Sequence, residues 1–259
     1  MSQLDLFEDS TENKLENITD FFLSGVNRTD AWGAKEWEAG ASGIDSVTSF
    51  PQLEQLFELS IDAFYAVIYA RMSELPLEGE ISRFIQKVHR AVEDLGSGTT
   101  EAREAAARAA TDRGDPDVLA VLRAGRKVQH EIHRMEGLLR FSPGPDGVYI
   151  ASCEPDHFIL PALAGHFYLR FGETPWAIID EKRGLCLSRQ KGGAFQLTRI
   201  PSGAAACTPI ESGETAASVE ALWRLYHRCI SNESRKNPQL QNQFMPKRYQ
   251  KYLTELKKN

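Results

Sequence analysis

Residues 175–200 read PWAIIDEKRGLCLSRQKGGAFQLTRI, and this stretch decides the fold class. Three short segments, PWAIID, LCLSRQ and AFQLTRI, are separated by the turn-sized spacers EKRG and KGG. Strands joined by so few residues pair with their neighbours, so an antiparallel meander is predicted here. Upstream, VYIASC (148–153) reads as a further strand and HFILPALAGHFYLRF (157–171) as a helix, after a turn in SPGPDG. Downstream, SVEALWRLYHRCI (218–230) reads as a helix, followed by a basic tail.

The first half has a different pattern. SFPQLEQLFELSIDAFYAVIYARMSEL (49–75) carries apolar residues at Leu53, Leu56, Phe57, Phe64 and Ile68, with Ser49 as cap and Pro51 in the first turn. A buried helix of about six turns is predicted. In EGEISRFIQKVHRAVEDLG (78–96), Ile81, Phe84, Ile85, Val88, Val92 and Leu95 keep helical spacing and Gly96 suits a left-handed stop. An Ala-rich helix follows over 100–112. A fourth begins with Asp115 as cap and Pro116 at its first position, and continues through AVLRAGRKVQHEIHRMEGLL. The chain therefore reads as α+β, an N-terminal helical bundle followed by a small, mostly antiparallel sheet with packed helices. Three regions are expected: a disordered leader over 1–13, a helical region over 14–141 that opens with a short helix in NKLENITDFFLSG, and an α+β region over 142–259.

Composition narrows the function classes. With 259 residues, 42% hydrophobic and 25% charged, the chain is of ordinary globular type. The four cysteines, at 153, 186, 207 and 229, form no CxxC pair and read as reduced core residues. No apolar run approaches the length that spans a bilayer, and a cytoplasmic protein without membrane contact is expected. The net charge of -6 is unevenly spread: residues 223–259 hold nine Lys and Arg against two Glu, a local +7, leaving -13 on the rest. An acidic body with a basic end is implied.

Candidate binding residues follow from spacing. Arg123, Lys127, His130 and Arg134 are separated by 4, 3 and 4 positions, one stripe on a helix that can follow phosphates or simply stay solvated. In the tail, Lys247, Arg248 and Lys251 are interleaved with Tyr249 and Tyr252, a pattern that neutralises phosphates and offers a ring to an unpaired base. The alternative is that Phe244, Tyr249 and Leu253 dock the tail onto the sheet. The segment between Pro238 and Pro246 reads as extended and amide-rich. Arg140 joins the basic set.

Catalytic signals are sparse. EPDHF (154–158) places Glu154, Asp156 and His157 at a strand-to-helix junction, where sites are often built, although Asp156 also suits an N-cap. His133, Glu154, His157 and Asp180 are the acid–base candidates. His130 and His133 do not complete an HExxH pattern, and there is no P-loop, dinucleotide fingerprint or GxSxG elbow. Neither a metal nor a cofactor is implied.

Two resemblances supply what spacing does not. Gln3, Leu4, Asp5, Leu6 and Phe7 form a pentapeptide that resembles the one by which bacterial polymerases and repair proteins dock on the sliding clamp. Its Leu6 and Phe7 can each bury a side chain worth roughly 1.5–3 kcal/mol. Three longer stretches, DVLAVLRAGRKVQHEIHRMEGLLRF, YIASCEPDHFILPALAGHFYLRFGETPWAIIDEKRG and RKNPQLQNQFMPKRYQKYLTEL, resemble a family of bacterial DNA-metabolism and DNA-repair proteins built on a domain of unknown function. The resemblance covers residues 115–256. It is carried by His133, Arg134, Met135, Gly137, Arg140, Phe141, Glu154, His157, His166, Phe167, Trp176, Asp180, Asn237, Pro238, Gln241, Pro246, Lys247, Arg248 and Tyr249. It implies a radical-SAM protein encoded nearby and, in some relatives, fusion to a uracil-DNA glycosylase-like domain, of which no half is recognisable here.

The expected function is thus a DNA-repair accessory that tethers a partner, a radical-SAM or glycosylase-like protein, to the clamp and to DNA. The alternatives are a nucleic-acid-processing enzyme using His133 or His157 as acid or base, and an interaction module without DNA contact.

Overall fold

The computed structural model of the chain describes residues 52–96, 98–144, 147–193, 195–200 and 214–256. The leader pentapeptide, the short helix expected in NKLENITDFFLSG, Ser49, Pro51 and Cys207 lie outside the described residues. The chain divides into two compact units, one of residues 1–133 with 156–162 and the other of residues 134–155 with 163–259.

The described part of the first unit is helical. Helices α1 (Gln52–Leu59), α2 (Ile61–Arg71), α3 (Glu78–Val92) and α4 (Thr100–Thr111) precede the long α5 (Pro116–Leu138), whose last turns belong to the second unit. The single helix expected over 49–75 is broken in two at Ser60. That residue is extended (φ -158°, ψ 116°), and its hydroxyl accepts from the Ala63 N–H at 3.3 Å as an N-cap. The ladder runs up to it and resumes from it, with Ser60 N–H donating to Leu56 O at 2.8 Å and Phe64 N–H to Ser60 O at 3.0 Å. A serine can bond its own backbone in this way, which lets it end one helix and start another.

Helix α3 buries Ile81, Phe84, Ile85 and Val88 as one stripe. It ends at Val92, and the left-handed residue after it is Gly98 (φ 80°), not Gly96. Helix α4 presents Ala102, Ala106 and Ala110, all buried and four apart, and packs on α3 and α2. Asp115 caps α5 as its sequence promises, accepting from the N–H groups of Asp117 at 2.9 Å and Val118 at 3.1 Å. Ion pairs tie α3 to this corner: Arg83 to Asp117 at 2.8 Å, and Lys87 to Asp112 at 2.8 Å and Asp115 at 2.9 Å. Hydrogen bonds from Arg83 and Lys87 hold these three carboxyls below their ordinary range. Buried Gly125 allows α5 to approach α2 closely, since a Cβ there would sit 3.2 Å from Tyr69 Cβ.

The segment 156–162 closes the first unit through polar contacts. Glu131 on α5 is 1% exposed, and its two carboxylate oxygens accept from the N–H groups of Asp156 at 2.7 Å and His157 at 2.8 Å. Phe158 N–H donates to Met72 O at 2.9 Å, and Glu74 N–H donates to His157 Nδ1 at 3.4 Å.

In the second unit a five-stranded sheet runs in sequence order: β1 (Ser142–Pro143), β2 (Tyr149–Cys153), β3 (Trp176–Asp180), β4 (Leu185–Arg189) and β5 (Phe195–Arg199). The β3–β4–β5 meander is antiparallel, as is β1–β2, so the sheet is mostly antiparallel. Strand β2 pairs parallel to β3, in the register Tyr149↔Trp176 to Cys153↔Asp180. The crossover such a pair requires contains helix α6 (Leu160–Phe171). The meander turns use Gly184 (φ 62°) and Gly192 (φ 65°). Every residue of β3 is buried, β4 alternates, and on β5 only Leu197 is buried.

After the sheet come α7 (Glu214–Ile230), α8 (Pro238–Phe244) and α9 (Lys247–Gln250). The amide-rich segment expected to be extended is helical, because Asn237 caps it through Oδ1, accepting from Leu240 N–H at 3.0 Å, and Pro238 occupies the first turn. Cys153 is buried, but Cys229 is exposed on α7 and is not a core residue.

Replacing Glu131 with Ala should lower the unfolding free energy by on the order of 3 kcal/mol, since two N–H groups are left without their acceptor. Glu131→Gln should recover little, because one of its two acceptor positions becomes an amide donor facing a donor. Urea denaturation of both variants measures the loss.

Candidate functional site

Helix α5 presents an exposed basic face. Arg123, Lys127 and His130 are exposed, and none has an acidic partner among the described residues. Arg126, which the sequence reading passed over, lies on the same face because 123, 126, 127 and 130 follow helical spacing, and it is likewise exposed. The i, i+3 signal for it was present in the sequence. Arg134, the fourth member of the expected stripe, does not extend it. It is half-buried in the second unit, with its guanidinium 5.9 Å from the centre of the Tyr249 ring.

The tail cations are mostly engaged. Tyr249, expected to offer a ring to a base, is 2% exposed, and Leu253 is fully buried, whereas Phe244 is 65% exposed. Arg248 stacks on the Tyr249 ring at 4.6 Å and donates to its hydroxyl at 3.0 Å. Lys251 pairs with Glu154 at 2.6 Å and lies 3.9 Å from Glu181. Lys247 is exposed and has no acidic partner among the described residues. A ring that is 2% exposed and has two guanidinium groups near it is a core element, so Tyr249 is not available for stacking on an incoming base.

Arg140 is also used internally. Its guanidinium forms a forked bond with Glu255, Nη2 to Oε1 at 2.8 Å and Nε to Oε2 at 3.3 Å, donates to Gly137 O at 2.8 Å, and lies 5.3 Å over Trp223. Trp223 Nε1–H donates to the same Glu255 Oε2 at 2.9 Å. Burial alone would raise the Glu255 carboxyl, but the bonds from Arg140 and Trp223 and the arginine's charge hold it below its ordinary value.

The four acid–base candidates are divided between the units: His133 and His157 fall in the first, Glu154 and Asp180 in the second. His133 is exposed on α5. His157 spends Nδ1 as an acceptor for Glu74 N–H. Asp180, fully buried at the end of β3, accepts from Arg183 Nη1 at 2.7 Å and from Arg183 N–H at 3.1 Å. Burial pushes its carboxyl up, against the pull of Arg183. Beside it, the Tyr252 hydroxyl donates to Glu181 at 2.7 Å, and burial followed by that bond raises the phenol well above its usual value. These contacts hold the tail against the carboxyl ends of β2 and β3. Among the described residues no cluster of three or more His, Cys, Asp or Glu is placed to hold a metal ion, and no helix is long and apolar enough to cross a membrane.

Residues 86–255 match a family described as a domain of unknown function, DUF4130. The chain belongs to this family, whose span begins within α3 and so reaches further upstream than the resemblance read from sequence. No curated protein and no solved structure matches the chain.

The depressed Glu255 carboxyl has a consequence in acid. Its stabilisation is present above the ordinary glutamate value of 4.5 and is lost as pH falls through the lowered one. Trp223 emission, taken as the difference from a Trp223→Phe variant, should therefore shift only below the ordinary glutamate value of 4.5. Glu255→Gln should abolish that acid transition and cost about 2 kcal/mol at neutral pH.

Proposed function

We propose that the protein is a non-catalytic accessory of DNA repair or DNA metabolism, which tethers a partner to DNA and to the sliding clamp. The observation that carries the DNA half is the contrast among the cations of the first unit. Arg83 and Lys87 are neutralised by Asp117, Asp112 and Asp115, while Arg123, Arg126, Lys127 and His130 line one solvent face of α5 with no acidic partner among the described residues. The face from 123 to 130 rises about 10 Å along the helix, the axial length of about three successive phosphates of one strand. Such a surface recognises backbone charge and carries no sequence preference of its own.

The clamp half rests on the pentapeptide Gln3, Leu4, Asp5, Leu6 and Phe7. The partner, a radical-SAM enzyme or a glycosylase-like protein, rests on the family resemblance. A catalytic role for His157 gains nothing from its surroundings, since its Nδ1 and its backbone N–H both serve the loop that contains it.

Changing Arg123, Arg126 and Lys127 together to Gln should weaken binding to every duplex sequence alike and lower the salt slope by up to about 3. Fluorescence anisotropy across a salt titration measures this. An unchanged slope in the folded variant removes the DNA half of the reading.

Leu6→Ala with Phe7→Ala should abolish clamp binding in surface plasmon resonance while leaving the melting temperature where it was. Retained clamp binding removes the tether.

A further inference from the structure

We infer that the second unit holds a pocket for one unpaired nucleotide of a nucleic-acid strand, its base among Phe141, Tyr149, Phe171 and Trp223 and its phosphate on Arg170. The cavity has a volume of about 290 Å³ and is lined by these five residues together with Arg140 and parts of β1. That is at the low end of the roughly 300–1,000 Å³ of small-molecule sites, a size for one ring system and its sugar.

The walls are already built. Phe141 and Phe171 meet edge to face with ring centres 4.7 Å apart, and Tyr149 lies 5.6 Å from Phe171. Tyr149 and Trp223 are each 37% exposed, so both retain surface for a ligand. Trp223 is held by its bond to Glu255 and by Arg140 above its ring. A wall fixed in this way adds little ordering cost when a ring docks on it.

The charges of the two arginines separate the ligand classes. Arg140 is neutralised by Glu255 at 2.8 Å, whereas Arg170, in the last turn of α6, is exposed with no acidic partner among the described residues. The lining thus offers aromatic surface and one uncompensated positive charge, which fits a planar ring joined to a single anionic group. A nucleotide has that chemistry, and stacking of bases on aromatic side chains tolerates any sequence. The inference rests on the nucleic-acid reading above. It separates that reading into a duplex-following face on α5 and a pocket for a base that is out of the stack. The same chemistry comes from a strand or from a free mononucleotide, and we assign the strand because one uncompensated arginine matches the single charge of an internucleotide phosphate, whereas a free monophosphate carries about -1.5 to -2 at neutral pH.

The test uses the full chain and anisotropy of a short fluorescein-labelled oligothymidylate, the same oligomer annealed to its complement, and thymidine 5′-monophosphate as competitor. Tyr149→Ala and Arg170→Gln should each weaken single-strand binding about tenfold and leave duplex binding unchanged, and the mononucleotide should compete far more weakly than unlabelled strand. Unchanged strand affinity in both variants overturns the pocket even where the α5 variant has lost duplex binding. Competition by the mononucleotide as strong as that of the strand overturns the strand assignment. Failure of the unaltered chain to bind either nucleic acid removes the pocket together with the wider reading. Should Tyr149→Ala lower the melting temperature, Arg170→Gln decides alone, since an exposed and unpaired side chain carries no share of the fold.

Discussion

A single buried carboxylate organises the first unit. Glu131 is 1% exposed, and two backbone N–H groups, from Asp156 and His157, donate to its carboxylate oxygens in place of the water lost on burial. The contact joins α5 to residues 25 and 26 positions further on. It leaves the EPDHF loop no freedom to choose another path, because Phe158 is bonded to Met72 and His157 to Glu74 at the same time. With the loop held, Phe158, Ile159 and Leu160 are all buried. The helix that follows thus starts from a fixed point.

Much of this architecture is legible in the sequence where the signal is periodic. Ile81, Phe84, Ile85 and Val88 announce α3, Asp115–Pro116 announces the start of α5, and the spacers EKRG and KGG announce the meander. What periodicity does not encode is direction and distance. The cation–aromatic pattern of 247–252 fits a wet surface and a docked tail equally well. Only the burial of Tyr249 near Arg134 and Arg248, and the pairing of Lys251 with Glu154, tells which residues turn inward. The role of Glu131 has no local signature at all, since its partners are main-chain groups on a distant loop. Ser60 is an intermediate case: its hydroxyl is visible in the sequence, but apolar spacing runs through it and outweighs the cap. Of the candidate site, the α5 face was legible in Arg123, Lys127 and His130, and its fourth member proved to be Arg126 because Arg134 lies beyond the turn at which the helix passes into the second unit.

Charge in this chain is spent in two ways. Arg140, Arg183, Arg189 and Lys251 each close an internal contact with a named acid, and Arg189 also lies 4.5 Å over Tyr168. Such partly buried pairs position elements more than they stabilise them, because desolvation offsets much of the attraction. Among the described residues, cations without an acidic partner include those of the α5 face, Arg170 and Lys247, and their field is not cancelled by a described neighbour. A protein of net charge -6 can therefore offer a polyanion local positive surfaces while its acidic remainder discourages indiscriminate adhesion, a balance that shifts with ionic strength.

The two margins of the sheet have a further meaning. Strand β1 is only two residues long and ends in Pro143, which has no N–H to offer a neighbour, and β5 turns Gln196, Thr198 and Arg199 to solvent. Neither margin is a good template for another strand, since a short proline-terminated edge and a charged one both resist extension. Growth of the sheet by recruiting strands from other molecules is discouraged at both ends, which lets the protein accumulate without stacking into fibrils.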